Sequence, residues 1–184
     1  MADNFIQSVQ DATKDAPKSI NWYRDKIREF GKPSALDLIR DGRRTTRPSA
    51  FNLNMFVYDP KYKKTLPYYD TFPLVLPLER YSDGFLGLNF HYLPIPLRVR
   101  LLDKINTIPE DNQYSERDQL RISYARASTI PMAKAVIKRY LYSHLKSQIR
   151  VVSPDEWVIA VLLPVQRFKK ASTSKVYNET KKLF

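Results

Sequence analysis

Apolar residues along this chain change their period from helical to strand-like and back, and the changes mark out the elements. Over residues 54–96 they fall in three short runs rich in strand formers, at 55–58, 72–78 and 85–92. Asp59-Pro60 closes the first run, since Asp-Pro favours turn initiation. Ser82-Asp83-Gly84 joins the second run to the third. That junction predicts a hairpin whose glycine takes a positive φ. Pro73 and Pro77 lack a ladder donor, so their strand should be an edge or carry a bulge. The pattern predicts an α+β fold. A small, strongly bent antiparallel sheet or partial barrel over about residues 51–92 is packed with several helices, mainly C-terminal.

Elsewhere the spacing is helical. Residues 1–18 form an arm or a marginal helix. Ser19 is a suitable N-cap for a helix over 20–30, with Gly31 just beyond its end. Trp22, Tyr23, Ile27 and Phe30 on that helix form a docking surface, against the domain or against a neighbouring subunit. Ser34, Asp37 and Gly42 cap and end a second helix over 35–41. Residues 43–49 have no apolar period and read as an exposed basic linker. Further helices are predicted over 97–105, over 115–127 with Leu120, Tyr124 and Ala127 inward, and over 175–184. A polar loop fills 106–113.

The strongest periodicity runs from Met132 to Ser147. Ala133, Val136, Ile137, Tyr140, Leu141, His144 and Leu145 recur at helical intervals, predicting an amphipathic helix. Residues 149–152 form a short strand. Ser153-Pro154-Asp155-Glu156 then has the cap, first-turn proline and capping-box glutamate of a helix start. The organisation expected is a helical arm and basic linker over 1–50, then one α+β domain over 51–184 with a basic C-terminal helical region.

Composition narrows the chemistry. The 184 residues suffice for one domain with a real core. The absence of cysteine removes disulfides and thiolate metal sites, and two histidines far apart do not suggest a zinc site. No cofactor or metal is expected. No apolar run approaches the roughly 18 residues that span a bilayer, and residues 1–18 lack a signal peptide's apolar core. No membrane partner is expected, and synthesis should be cytoplasmic.

An enzymatic reading has little to rest on. Pro154-Asp155 and Glu179-Thr180-Lys181 have the formal order of a PD…ExK nuclease, in which carboxylates hold Mg²⁺ and a lysine orients water. Helix capping already explains the first pair, and Glu179 falls in a helix-like segment. Asp59, Asp70 and Asp83 flank strands and would suit a metal, but each is explained as a turn former. Phosphate-cradling glycine motifs are absent. His144, on the apolar face of its predicted helix, is better placed to pack than to catalyse. Catalysis is not expected.

Charge carries the strongest compositional signal: 31 basic against 19 acidic side chains, a net of +12. Residues 131–184 hold 11 basic and 3 acidic residues, two-thirds of the excess. A basic end on a balanced chain points to a polyanionic partner, nucleic acid first. The candidate phosphate-binding residues are Lys134, Lys138, Arg139, Lys146 and Arg150, then Arg167, Lys169 and Lys170 beside Phe168. Arg43, Arg44 and Arg47 of the linker join them. Such side chains release counterions from DNA without reading bases. Phe168 and Tyr177 suit stacking on bases exposed at a duplex end, although core packing is the commoner use of such rings.

Three stretches together carry a resemblance: SINWYRDKIREFGK, then FVYDPKYKKTLPYYDTFPLVLPLERYSDGFLGLNFHYLP, then KRYLYSHLKSQIRVVSPDEWVIAVLLPVQRFKKAS with VYNETKK. From about Ser19 to its C-terminus the chain resembles the DNA end-protector (head-completion) proteins of T-even-like contractile-tailed bacteriophages. The resemblance implies a minor virion protein, made in the host cytoplasm, that binds the end of the packaged double-stranded DNA. It would shield that end from host exonuclease and help complete the head for tail joining. Implied partners are the genome end and other virion proteins of the head, neck or tail, and a second copy of the chain is admissible. No catalytic residues carry over. The alternatives are a structural neck or baseplate adaptor without DNA binding and, third, the nuclease.

Overall fold

Residues 5–12, 19–105 and 113–184 are described by the computed structural model. Its strands are β1 (Arg44–Thr45), β2 (Leu53–Met55), β3 (Tyr69–Asp70), β4 (Leu74–Arg80), β5 (Gly84–Asn89), β6 (Ile137–Leu141), β7 (Ile149–Val152) and β8 (Phe168–Lys169). Six of them form one antiparallel sheet in the order β1-β7-β2-β4-β5-β6, while β3 and β8 pair as a separate ribbon. The sheet is open, with β1 and β6 as its edges, so the expected α+β architecture takes the sheet form and not the barrel.

The predicted hairpin is β4–β5, pairing Val75 with Asn89 and Arg80 with Phe85. Its proline-bearing strand is interior, between β2 and β5. The missing donor is accommodated by an irregularity between Pro77 and Glu79, where the register shifts. Gly84 departs from the expected reason for a glycine. Its φ is not positive, unlike those of Gly31 and Gly42. The constraint at Gly84 is closeness: a Cβ there would lie 1.9 Å from the carbonyl oxygen of Tyr140 on β6.

Strand alternation splits the core between the two faces of the sheet. Leu74, Leu76 and Leu78 point into the larger apolar cluster, and Val75 points into a smaller one with Phe56, Tyr58, Phe85, Tyr140 and Ile149. The helices are α1 (Phe5–Asp11), α2 (Ile20–Phe30), α3 (Ala35–Arg40), α4 (Ile95–Ile105), α5 (Glu116–Ser128), α6 (Pro131–Ala135), α7 (Trp157–Leu162) and α8 (Thr173–Lys181). Ile6, Val9, Ile27, Ala35 and Leu38 from the first three join Trp157, Ile159 and Leu101 in the larger cluster. Each buried Val, Leu or Ile side chain among them contributes about 1.5–3 kcal/mol. The predicted caps Ser19 and Ser34 accept from backbone N–H groups, Ser153 with Glu156 forms the capping box, and Ser115, expected as the first residue of its helix, is the N-cap before it. In α5 Tyr124 is exposed, and Ser123 takes the inward place between Leu120 and Ala127. The loop expected over 106–113 lies, apart from Gln113, outside the described residues.

The helix expected over 132–147 does not form. After α6 the chain straightens at Val136 and residues 137–141 pair with β5, followed by a 3-10 turn over Tyr142–His144. The apolar residues of this stretch fit either period. What decides is the otherwise open hydrogen-bonding edge of β5, which Ile137–Leu141 satisfies, a run whose Ile and Tyr favour a pleated surface. His144 is consequently on a turn, half-buried, with Nδ1 2.8 Å from the Asp59 carbonyl oxygen.

Candidate nucleic-acid interface

Beyond an isolated bridge between Tyr58 and Leu145 the chain turns at Pro60 into a loop that carries Lys61, Lys63 and Lys64, all exposed. Two anchors hold this loop. On one side Asp59 N–H donates to the His144 carbonyl and Lys63 forms an ion pair with Asp59, which holds that carboxyl below its usual range. On the other side Lys170 Nζ donates to the carbonyl oxygens of Lys63, Lys64 and Leu66. Lys170 reaches them from a positive φ of 71°, directly after β8. The β3–β8 ribbon, pairing Tyr69 with Lys169, therefore joins Arg167, Lys169 and Lys170 to the lysine loop. Lys146 comes from a third direction: its N–H donates to Val57, and its charge acts on Asp59.

A buried polar knot fixes the ribbon to the sheet. Asp70 Oδ1 accepts from the backbone N–H groups of Phe72 (2.9 Å) and Arg167 (3.1 Å). Its Oδ2 accepts from Asn89 Nδ2 (3.2 Å) and lies 3.1 Å from His91 Nδ1. Burial pushes this carboxyl up, but the donors around it outweigh burial and hold it below the ordinary range. Burial pushes His91 down, leaving a neutral ring that donates from Nδ1. Arg98, also fully buried, donates to the carbonyls of Leu93 and Leu163 and to the Tyr177 hydroxyl, tying α4 to α8.

Between the lysine loop and edge strand β6 lies a cavity of about 580 Å³. Lys138 and Arg139 of β6 form one wall and tyrosines from the loop and ribbon the other. Lys138 Nζ lies 4.4 Å from the Tyr92 ring centroid. Arg139 pairs with Asp83 and stacks over Tyr81, with Cζ 4.1 Å from the ring centroid.

These positions sort the residues expected to bind DNA. Lys138 and Arg139 line the cavity, Lys170 anchors the loop, Lys169 lies on ribbon strand β8 with Arg167 just before that strand, and Lys146 lies near Asp59 at the loop's base. Lys134 is exposed on α6, just before β6. Arg43 donates to Ser49 and Arg44 is exposed on β1, at the sheet edge opposite β6. Residues 43–49 are thus partly a strand, not only a linker. Arg47 stacks over Tyr142 at 5.2 Å. Arg150 is a correction: its side chain is fully buried and paired with Glu156 at 2.9 Å, out of reach of any phosphate. It lies on an interior strand between β1 and β2, where its charge serves the fold. Lys61, Lys63 and Lys64 are additions. The run Lys-Tyr-Lys-Lys before Leu-Pro-Tyr-Tyr-Asp was their signal, hidden by the near balance of charge across residues 51–109.

Phe168 and Tyr177 pack edge to face at 6.4 Å, and Phe168 also contacts Tyr92. On α2, Ile27 is buried in the chain's own core and Trp22 and Tyr23 are half-buried, whereas Phe30 stays 45% exposed beside Phe5. Ile27 therefore docks within the chain, and Phe30 is left to face outward. The two acids of the nuclease-like pattern have separate partners: Asp155 accepts from Gln10, and Glu179 bonds Tyr68. Among the described residues no three His, Asp or Glu side chains are grouped to hold a metal ion, and no helix is long and apolar enough to cross a membrane.

The sequence model of the family described as phage T4 terminal DNA protecting protein matches residues 1–183. No curated protein and no solved structure matches the chain significantly.

Proposed function

Because the chain belongs to the phage T4 terminal DNA protecting protein family, we propose that it binds the end of packaged double-stranded DNA and shields it from exonuclease. The observation that carries the reading to particular atoms is the convergence of three basic segments: the lysine loop, the β8 exit and edge strand β6. A surface of this kind holds phosphates by charge, with no need to read sequence. We assign the contacts to Lys61, Lys63, Lys64, Lys138, Lys146, Arg167 and Lys169, with Lys170 as the loop's anchor. Arg139 shares its charge with Asp83 and contributes less. On this reading the protein is a minor virion component, made in the host cytoplasm, that helps complete the head for tail joining. Exposed Phe30 on α2 is the point at which a neighbouring virion protein or a second copy would dock.

Linear duplex and the same duplex as a closed circle, offered at several salt concentrations with and without exonuclease, test the reading. Preference for the linear form with protection of its termini is the expected result. Equal binding to both forms would reduce the activity to general DNA contact, and no binding at low salt would end the proposal.

A further inference from the structure

The cavity beneath the lysine loop has a lining that phosphate binding alone does not require. Half of the chain's 12 tyrosines line it, among them Tyr62, Tyr68, Tyr69 and Tyr92. Backbone phosphates gain nothing from aromatic walls; bases do, because every base has a π face that stacks on a ring. Its volume of about 580 Å³ lies within the range of small-molecule sites, roughly 300–1,000 Å³.

The charges around the cavity are equally selective. Both acids in its wall are already engaged, Asp83 by Arg139 and Asp70 by the buried donors. Lys138 is different. Half-buried, with its ammonium over Tyr92, it has no carboxylate partner among the described residues, and burial pushes its pKa down. A desolvated cation without a counter-charge is stabilised by an incoming anion. Lys61, over the Tyr62 ring at 5.3 Å, adds a second cation at the rim.

Resting on the DNA-end reading above, we propose that this cavity receives one unpaired nucleotide at the DNA terminus, its base against the tyrosine rings and its phosphate on Lys138. Phosphates of the adjoining duplex then lie on the lysine loop and Lys169. The pocket thereby distinguishes an end from an uninterrupted duplex, whose bases are stacked and paired and present no free face. An acidic protein segment would satisfy Lys138 but would leave the rings unused.

The test measures affinity of the purified full chain for linear duplexes that end in one unpaired nucleotide, in the same position made abasic, or blunt, with the closed circle as reference. The base-bearing end should bind roughly five- to 150-fold more tightly than the abasic end, the range expected for one stacked base. In Tyr62→Ala, a change at a 61% exposed side chain, and in Lys138→Gln that ratio should fall toward one. Equal affinity of wild-type protein for base-bearing and abasic ends, with linear still preferred over circle, overturns the pocket and leaves end binding standing. Absence of any linear preference overturns both. Competition by free dAMP as effective as the DNA end would assign the cavity to a free nucleotide and likewise overturn the proposal.

Discussion

Asp70 and His91, 21 residues apart in the chain, meet at 3.1 Å between Oδ2 and Nδ1, both closed off from solvent. The pair joins the β3–β8 ribbon to the end of β5, so the position of the lysine loop depends on it. Replacing Asp70 by Ala strands four N–H donors and should cost about 3–5 kcal/mol, since a buried donor left unsatisfied costs about 1–3 kcal/mol. Urea denaturation measures it. A loss below about 1 kcal/mol would show that the knot does not hold the ribbon.

The same pair predicts how stability follows pH. His91 has a folded pKa below its ordinary 6.5, so its contribution is complete above that value and is lost as pH falls through the window beneath it. Asp70, also depressed, adds a second loss below its ordinary 3.8. Urea midpoints should be level from pH 8 to 7 and fall from pH 6.5 downward. His91→Gln should flatten the first part of that fall, and an unchanged slope would contradict the assignment.

Arg150 and Lys169 lie on neighbouring parts of the sequence and should behave as opposites. Alanine at Lys61, Lys64 and Lys169 together should lower the slope of log affinity against log salt by about 0.9 for each phosphate contact removed. Arg150→Ala should instead cost about 3–5 kcal/mol of stability by leaving Glu156 half-buried without its partner, with the salt slope of the folded fraction unchanged. Fluorescence anisotropy over a salt series separates the two.

Gly84→Ala would drive a methyl group into the Tyr140 carbonyl. Backbone cannot yield as a flexible side chain does, so β6 should part from β5 at a cost of about 1–3 kcal/mol or more. Hydrogen exchange of residues 137–141 should accelerate selectively. Uniform acceleration across the sheet would mean that β6 is not a separable edge.

Lys170→Ala removes three hydrogen bonds from the loop carbonyls while leaving the loop's own charges in place. Faster amide exchange over residues 61–66 and weaker DNA binding with a nearly unchanged salt slope are expected, because order and not charge is lost. A slope falling by a full phosphate contact would show that Lys170 touches DNA itself.

What the sequence disclosed follows the range of the forces involved. Serine caps, the Ser153 capping box and the Ser82-Asp83-Gly84 hairpin were legible because their partners lie within a few residues. Residues 137–141 were not, since two periods fitted them and the open edge of β5, some fifty positions away, chose between them. The candidate interface was half legible. Basic residues near the C-terminus could be counted, but the lysine loop joins them only through Lys170, across about a hundred residues. Arg150 shows the converse. Nothing local distinguishes a guanidinium bound for the interior from one bound for phosphate.

The sheet ends in cationic strands on both sides, Arg44 on β1 and Lys138 with Arg139 on β6. An exposed strand edge is a template on which another chain can add itself, and basic side chains are one means by which sheets refuse that addition. Charge at these two edges works against edge-to-edge pairing of one copy with another. The charge that suits a polyanionic partner thus also serves the two edges of the sheet.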